Sequence, residues 1–133
     1  MALVSTSMNF SFYVRMVYFV CLAGASVNHA RANIAHGLLW DYGGVPLVSS
    51  IFWTALTFLD PLAAILLLVR PRWGVGMTVA IIVVDVLHNS WLNDYLDVPP
   101  SAAYYAQVAF LILVASTAKI AWAKGTPQAQ PGT

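Results

Sequence analysis

The chain has very few charged residues: 8% of its 133 residues are charged, and Glu is absent altogether. Hydrophobic residues, by contrast, make up 60% of the sequence. A soluble globular domain usually carries about a quarter of its residues as charged groups. This composition therefore excludes an ordinary soluble domain and makes lipid the expected solvent.

Cysteine and clustered basic residues are equally scarce. The single cysteine, Cys21, lies in an apolar stretch, which excludes an internal disulfide and a thiolate metal cage. The net charge is +1, and no run of Lys and Arg is long enough to follow a phosphate backbone. We therefore expect no nucleic-acid partner, and we interpret Cys21 as a small buried hydrophobe.

Long apolar runs are abundant, and four of them predict membrane-spanning helices. The clearest, residues 45–69, contains one charged residue and exceeds the roughly 20 residues needed to cross hydrocarbon. The other spans are predicted at about 10–30, 73–92 and 102–122. The expected fold is an all-α integral membrane protein, a single four-transmembrane-helix bundle over residues 1–123. Residues 124–133 lack apolar periodicity and are expected to form a mobile cytoplasmic tail.

The first span is the least regular because Arg15 interrupts it. Arg15, a short apolar core and the small residues 23–26 are also compatible with a cleaved signal peptide. The aromatic residues before Arg15 suit an interfacial belt better than the polar start of a signal, so we expect a retained helix. Residues 28–44 predict a helical extension or an interfacial segment.

The basic residues are distributed unevenly between the two sides of the predicted bundle. One side collects Arg15, Arg70, Arg72, Lys119 and Lys124, whereas Arg31 stands alone on the other. Because Lys and Arg accumulate in cytoplasmic loops, both termini are expected in the cytoplasm. We expect the protein to lie in a plasma membrane, specifically a bacterial inner membrane.

Two carboxyl groups fall near the middle of predicted spans, where an unpaired charge costs several kcal/mol. Asp60 and Asp85 lie on consecutive spans joined by a tight turn, at depths that differ by about one helical turn. Asp85, His88 and Asn89 follow the spacing i, i+3 and i+4, which predicts one polar face. The sequence therefore predicts a shared pocket, with Asp60, Asp85 and His88 as the candidate catalytic residues.

Other polar and aromatic residues extend this predicted pocket. Trp53 and Thr57 lie on the same helical stripe as Asp60, and Asn28 and His29 lie near the outer end of the first span. Tyr105 is expected at the outer mouth of the fourth. The candidate ligand-binding residues are Trp53, Thr57, Asn89, Asn28, His29 and Tyr105.

Metal and haem sites are weaker alternatives. His29 or His36 with His88 could hold a haem, but supporting spacing is lacking. Asp60, Asp85 and His88 offer three metal ligands without an obvious fourth. We therefore expect no metal and no cofactor. A further alternative is a buried network in which Asp85 and His88 satisfy each other and fix helix register.

The run FWTALTFLDPLA after Pro46, the Arg-rich turn, Trp73 and the polar stripe of the third span resemble the EXPERA family. That family includes the sterol isomerase known as emopamil-binding protein and the sigma-2 receptor. The resemblance implies a compact membrane bundle whose interior acids face an apolar ligand, here Asp60, Asp85 and His88. It covers about residues 10–123 in hydropathy, but the pocket acid on the family's second helix is often Glu.

Three functions are compatible with these patterns. The first is binding of an apolar sterol-like or isoprenoid molecule from the membrane lipids, with isomerisation by proton transfer as an extension. The second is a proton-coupled small transporter, in which the chain would form a homodimer. The third is a structural or assembly subunit of a membrane complex. The sequence does not decide whether the protein is an enzyme.

Overall fold

The computed structural model describes residues 10–123, and the tail predicted for residues 124–133 lies outside this range. The described chain is all helical, and it forms four helices: α1 (Phe10–His36), α2 (Leu47–Val69), α3 (Pro71–Leu96) and α4 (Ala102–Trp122). Each is long and apolar enough to cross a membrane. The predicted four-helix membrane bundle is therefore confirmed.

Local sequence explains most of the helix ends. Pro46 precedes α2, and Pro71 opens α3, where its missing N–H costs no hydrogen bond. The Ser101 hydroxyl accepts a hydrogen bond from the backbone N–H of Tyr104 and so caps α4. Asp97 closes α3 in the left-handed conformation.

Two helices extend further than the predicted spans. α1 continues to His36, six residues past the predicted end, and α3 continues to Leu96. The extension of α1 agrees with the alternative of a helical continuation for the first part of residues 28–44. A loop of residues 37–46 follows, with a turn in which the Asp41 carboxylate accepts a hydrogen bond from the Gly43 N–H.

The helices pack in chain order around a closed ring. α1 lies against α2, α2 against α3, α3 against α4, and α4 returns to α1. Short connections make successive helices antiparallel. One end of the bundle carries the α2–α3 turn with Arg70 and Arg72 and is named the basic end. The other end carries both longer loops, together with Asp41, Asp94 in the last turn of α3, and Asp97, and is named the acidic end.

The apolar core fills the half of the bundle nearer the basic end. Its most buried members are Tyr18, Leu22, Ala63, Ala64, Leu67, Val75, Ile82, Val114 and Ala121. Several are small, which allows close approach of helix backbones in a membrane bundle. The Tyr18 hydroxyl bonds to Thr117 at 2.7 Å, linking α1 to α4 within this core.

Arg15, the charge that interrupts the first apolar run, has a structural role at the basic end. Its guanidinium donates to the Ser11 hydroxyl at 2.8 Å and to the Ala121 carbonyl of α4 at 3.2 Å. A cation at a helix C-terminus pairs with carbonyls that lack intrahelical donors. Arg15 thus fastens the start of α1 to the end of α4, and α1 also supplies Tyr18 and Leu22 to the core.

The turn between α2 and α3 leads to a testable prediction about Gly74. A Cβ added there would lie 2.6 Å from the Leu67 Cα and collide with the Leu67 backbone nitrogen. Because backbone atoms cannot rotate aside, Gly74→Ala should destabilise the bundle by about 1–3 kcal/mol. The measurement is the midpoint of thermal unfolding in a mild detergent.

Gly76→Ala is the matched control, because its Cβ would meet only the Trp122 ring at an ordinary 3.6 Å. Alanine there should be neutral or stabilising by up to about 1 kcal/mol through helix propensity. Equal midpoints for the two variants would contradict the close packing of α3 on α2.

Candidate functional site

The seam between α1 and α4 is closed toward the basic end and open toward the acidic end. In the closed part, the Ser11, Arg15 and Tyr18 side chains bond to α4. Toward the acidic end the two helices border a cavity of about 330 Å³, named the carboxylate cavity. This size lies within the usual range for small-molecule sites, about 300–1,000 Å³.

The carboxylate cavity has a buried polar floor and an exposed rim. Its floor includes Asp60 and Asp85, which are 2% and 7% exposed. Three rim residues, Asn28, Ala103 and Ala106, are exposed on the bundle surface. The remaining lining is mostly apolar and comprises Cys21, Leu22, Ala25, His29, Ile81, Ile82, Gln107 and Phe110. A molecule in the cavity would thus contact apolar walls and two carboxyl groups.

Side-chain amides hold one of the carboxyl groups in position. The Asn89 amide donates to the Asp85 carboxylate at 2.8 Å and lies 3.2 Å from the Gln107 side-chain oxygen on α4. On the α1 side, His29 Nε2 lies 4.0 Å from an Asp60 carboxylate oxygen. All four helices therefore contribute polar groups to the same region of the bundle.

A second cavity, named the vestibule, continues from the carboxylate cavity toward the acidic end. It has a volume of about 290 Å³ and shares Asn28, His29, Ala103 and Gln107 with the deeper cavity. Its further lining is Ala32, Tyr42, Trp53, Asn89, Asn93, Ser101 and Tyr104. The two cavities therefore adjoin each other between the acidic end and the carboxyl groups.

Two polar atoms of the vestibule lining lack a partner among the described residues. The Tyr42 hydroxyl and the Asn93 side-chain nitrogen are both buried without a hydrogen bond. Burial raises the pKa of the Tyr42 phenol above its ordinary value, and the phenol is a neutral hydrogen-bond donor at neutral pH with or without this shift. Because buried polar groups are normally satisfied, these atoms are positioned to bind water or a polar group of a ligand.

The carboxylate cavity is closed toward the basic end. On its basic side lies the apolar core, with Tyr18, Leu67 and Val114 no more than 1% exposed. The described helices thus form a blind pocket that is accessible from the acidic end and from the α1–α4 seam.

Most of the polar residues singled out in the sequence meet in these two cavities. Asp60 and Asp85 line the carboxylate cavity, Asn28 and His29 line both, and Trp53 and Asn89 line the vestibule. The predicted proximity of Asp60 and Asp85 across consecutive helices therefore corresponds to the observed geometry.

His88 lies elsewhere, and the expectation that it shares the pocket with Asp85 is wrong in this geometry. Its Nε2 lies 3.1 Å from the Ser49 hydroxyl, and its ring packs among Phe52, Trp53 and Trp91. Successive helical residues are rotated by about 100°, so positions i+3 and i+4 diverge to opposite sides of position i. Asn89 accordingly faces α4, whereas His88 faces α2.

Thr57 and Tyr105 also differ from their predicted positions. The Thr57 hydroxyl accepts a hydrogen bond of 2.6 Å from Asn33, so it joins α2 to α1 and does not line either cavity. Tyr105 is 62% exposed and points away from the bundle. Its neighbour Tyr104 faces inward and bonds to Ser90 at 2.8 Å, and Tyr104 therefore occupies the mouth predicted for Tyr105.

Sequence reasoning missed several lining residues as members of the site. Gln107 carried a signal, since an amide within an apolar span normally faces the bundle interior. Tyr42 and Asn93 lie in or near the loops, where no periodicity assigns a side chain to a pocket. No group of three or more His, Cys, Asp or Glu residues between residues 10 and 123 is arranged to hold a metal ion.

Comparison with models of protein families, with curated proteins and with solved structures yields no match to this chain.

Cys21 provides a direct test of access to the carboxylate cavity, because it lines the cavity and is the single cysteine of the chain. A small neutral maleimide should label Cys21 in membranes containing the folded protein. Ala106→Trp places a large ring at the exposed rim and should slow this labelling severalfold. The measurement is the rate of adduct formation by mass spectrometry of the intact protein.

The matched control is Ala109→Trp, on the same helix one turn further along, where the residue is exposed and lies outside the cavity lining. Its labelling rate should equal that of the unmodified chain. Equal slowing by both tryptophans would refute the open α1–α4 seam.

Proposed function

We propose that this protein binds an amphipathic molecule drawn from the membrane, with an apolar body of sterol or isoprenoid type and a polar group directed at Asp60 and Asp85. The observation that carries the proposal is the cavity that holds both carboxyl groups below an exposed rim. A polar floor with apolar walls is the usual composition of a small-molecule site.

The walls support the apolar part of this ligand. Leu22, Ile81, Ile82 and Phe110 present hydrocarbon or aromatic surface to the cavity, and Ala25 and Ala106 leave room between α1 and α4. At about 330 Å³, the cavity accommodates part of a large lipid-like molecule. The remainder would extend through the open seam into the bilayer or upward into the vestibule.

The floor supports a polar or cationic group on the ligand. Burying two carboxyl groups in a bundle costs free energy that is recovered only by pairing, protonation or a bound partner. Asn89 and His29 supply part of this compensation. A hydroxyl or amine of the ligand would supply more, because hydrogen bonds to charged groups contribute about 1.5–3 kcal/mol each.

The pocket is closed toward the basic end, where the apolar core separates the carboxyl groups from that end of the bundle. An alternating-access transporter passes through a state that is closed in the same way, so the binding proposal rests on the composition of the carboxylate cavity. Double-bond isomerisation remains a natural extension of binding, since two carboxyl groups and His29 border one apolar cavity and could donate and accept the proton. This chemistry follows the EXPERA resemblance of the sequence.

We further propose that the basic end faces the cytoplasm of a bacterial inner membrane. Four of the five Lys and Arg residues within residues 10–123 lie toward this end: Arg15, Arg70, Arg72 and Lys119. The positive-inside rule then orients the vestibule toward the outer side. In a chain that also carries Cys21→Ser, Asp94→Cys should accordingly react with a membrane-impermeant thiol reagent in intact cells.

The ligand can be sought by purifying the protein in mild detergent and identifying co-purifying lipids by mass spectrometry. The double variant Asp60→Asn, Asp85→Asn keeps an oxygen acceptor for Asn89 but removes both carboxylates. A specific apolar molecule should accompany the unmodified chain, and the double variant should lower its occupancy by about tenfold or more.

The matched control is Asp94→Asn, Asp97→Asn, which removes two exposed carboxylates at the acidic end. This control should retain the ligand fully. Thermal unfolding separates binding from a purely structural role: the Asp60, Asp85 variant should be as stable as the unmodified chain or more so, because two ionisable groups leave the membrane interior. Loss of stability without any enriched molecule would contradict the proposal and favour a scaffold.

A further inference from the structure

A separate cavity lies at the basic end, on the opposite side of the apolar core from the carboxyl groups. It has a volume of about 410 Å³ and is named the arginine pocket. Arg15, Arg70 and Arg72 line it, together with Val69, Pro71, Trp73, Trp122 and Ala123. It thus combines three guanidinium groups with two indole rings at a helix turn.

The charge in the arginine pocket is not balanced by acidic side chains. The chain has no Glu, and its five Asp residues lie at positions 41, 60, 85, 94 and 97, in the middle of the bundle or at the acidic end. Arg15 is engaged with Ser11 and the Ala121 carbonyl. Arg70 and Arg72 are exposed, and their guanidinium groups are positioned to bind an anion.

Backbone N–H groups at the start of α3 add further hydrogen-bond donors to the arginine pocket. α3 begins at Pro71, so the N–H groups of Arg72 and Trp73 precede the first intrahelical hydrogen bond, which Gly74 donates to the Arg70 carbonyl. N–H groups at a helix N-terminus donate hydrogen bonds to phosphate oxygens, and here they lie next to two guanidinium groups.

An apolar groove adjoins the arginine pocket and shares three of its residues. This groove, named the tryptophan groove, has a volume of about 610 Å³ and is lined by Leu66, Arg72, Trp73, Gly76, Met77 and Trp122. Gly76 faces the Trp122 ring across the groove, since a Cβ there would lie 3.6 Å from the ring, and a side chain larger than alanine would occupy the groove. Arg72, Trp73 and Trp122 border both cavities, so an anionic group and a hydrocarbon chain can be bound side by side.

We propose that the basic end is a specific binding site for an anionic phospholipid, with the phosphate at Arg70 and Arg72 and one acyl chain in the tryptophan groove. Basic pockets between membrane helices bind acidic lipid headgroups by charge complementarity. Tryptophan rings suit the boundary between headgroups and hydrocarbon. The lipid packs against the α2–α3 turn and α4 and stabilises the closed end of the bundle.

The test compares phosphatidylglycerol with phosphatidylcholine, added to the full chain in mild detergent and counted as bound lipid by native mass spectrometry. Phosphatidylglycerol should bind more tightly to the unmodified chain. Arg70→Gln, Arg72→Gln should weaken phosphatidylglycerol binding by about 30-fold and leave phosphatidylcholine unchanged. Lys119→Gln removes a basic residue of the same end that does not line either cavity and should change binding little.

A second pair of variants tests the acyl chain. Gly76→Leu fills the tryptophan groove and should weaken phosphatidylglycerol binding. The control is Gly24→Leu, which adds the same side chain to an exposed site on α1 with open space around it and should leave binding unchanged. Retention of the lipid by Gly76→Leu, or by the double arginine variant, would overturn the proposal. So would displacement of the lipid by an equal concentration of inorganic phosphate, which would identify a site for the free anion.

Discussion

The structure depends on the cost of placing carboxyl groups in hydrocarbon. Asp60 and Asp85 lie near the middle of α2 and α3, where lipid offers no hydrogen bonds, so both must face the interior of the bundle. This requirement fixes the rotation of two helices about their axes. α4 then contributes Gln107, and α1 contributes His29, on the faces that meet the same cavity. The half of the bundle near the acidic end therefore has a polar interior that contains the carboxylate cavity and the vestibule.

The half of the bundle nearer the basic end has a closely packed apolar interior instead. Small and aliphatic side chains close the space between the helices, and Gly74 lets the start of α3 approach the end of α2 at backbone distance. Such close packing is the main source of helix association in lipid, because no hydrophobic force acts between helices there. Among the described residues, the arginines of this half lie near its end, where Arg15 bonds to α4 and Arg70 and Arg72 are exposed at the α2–α3 turn. The closely packed apolar core and the cavities with the carboxyl groups thus lie at different levels along the bundle axis.

How much of this could be predicted depends on which physical signal the sequence carries. Four apolar runs and the Pro-containing turns determine four antiparallel helices, and mid-span acids on neighbouring helices predict that Asp60 and Asp85 meet. His88 shows the limit of prediction from helical spacing. Residues at i+3 and i+4 share a face with residue i only loosely, so the helix that packs against each of them determines which one points toward the pocket. Beside α2, Ser49 and three aromatic rings surround the imidazole. Tyr104 and Tyr105 differ in the same way, since adjacent residues on a helix cannot both face inward.

Loop residues escape prediction for a different reason. Tyr42 reaches the vestibule because the loop after α1 turns back over the bundle. Tyr42 has a positive φ of 48°, and it is one of several residues of this loop in the left-handed region. The turn brings the rings of His36, Trp40, Tyr42 and Trp53 into a continuous row. These ring contacts hold the loop beside the mouth of the pocket. Tyr42 therefore reaches the vestibule through the packing of a loop, which no helical periodicity in the sequence predicts.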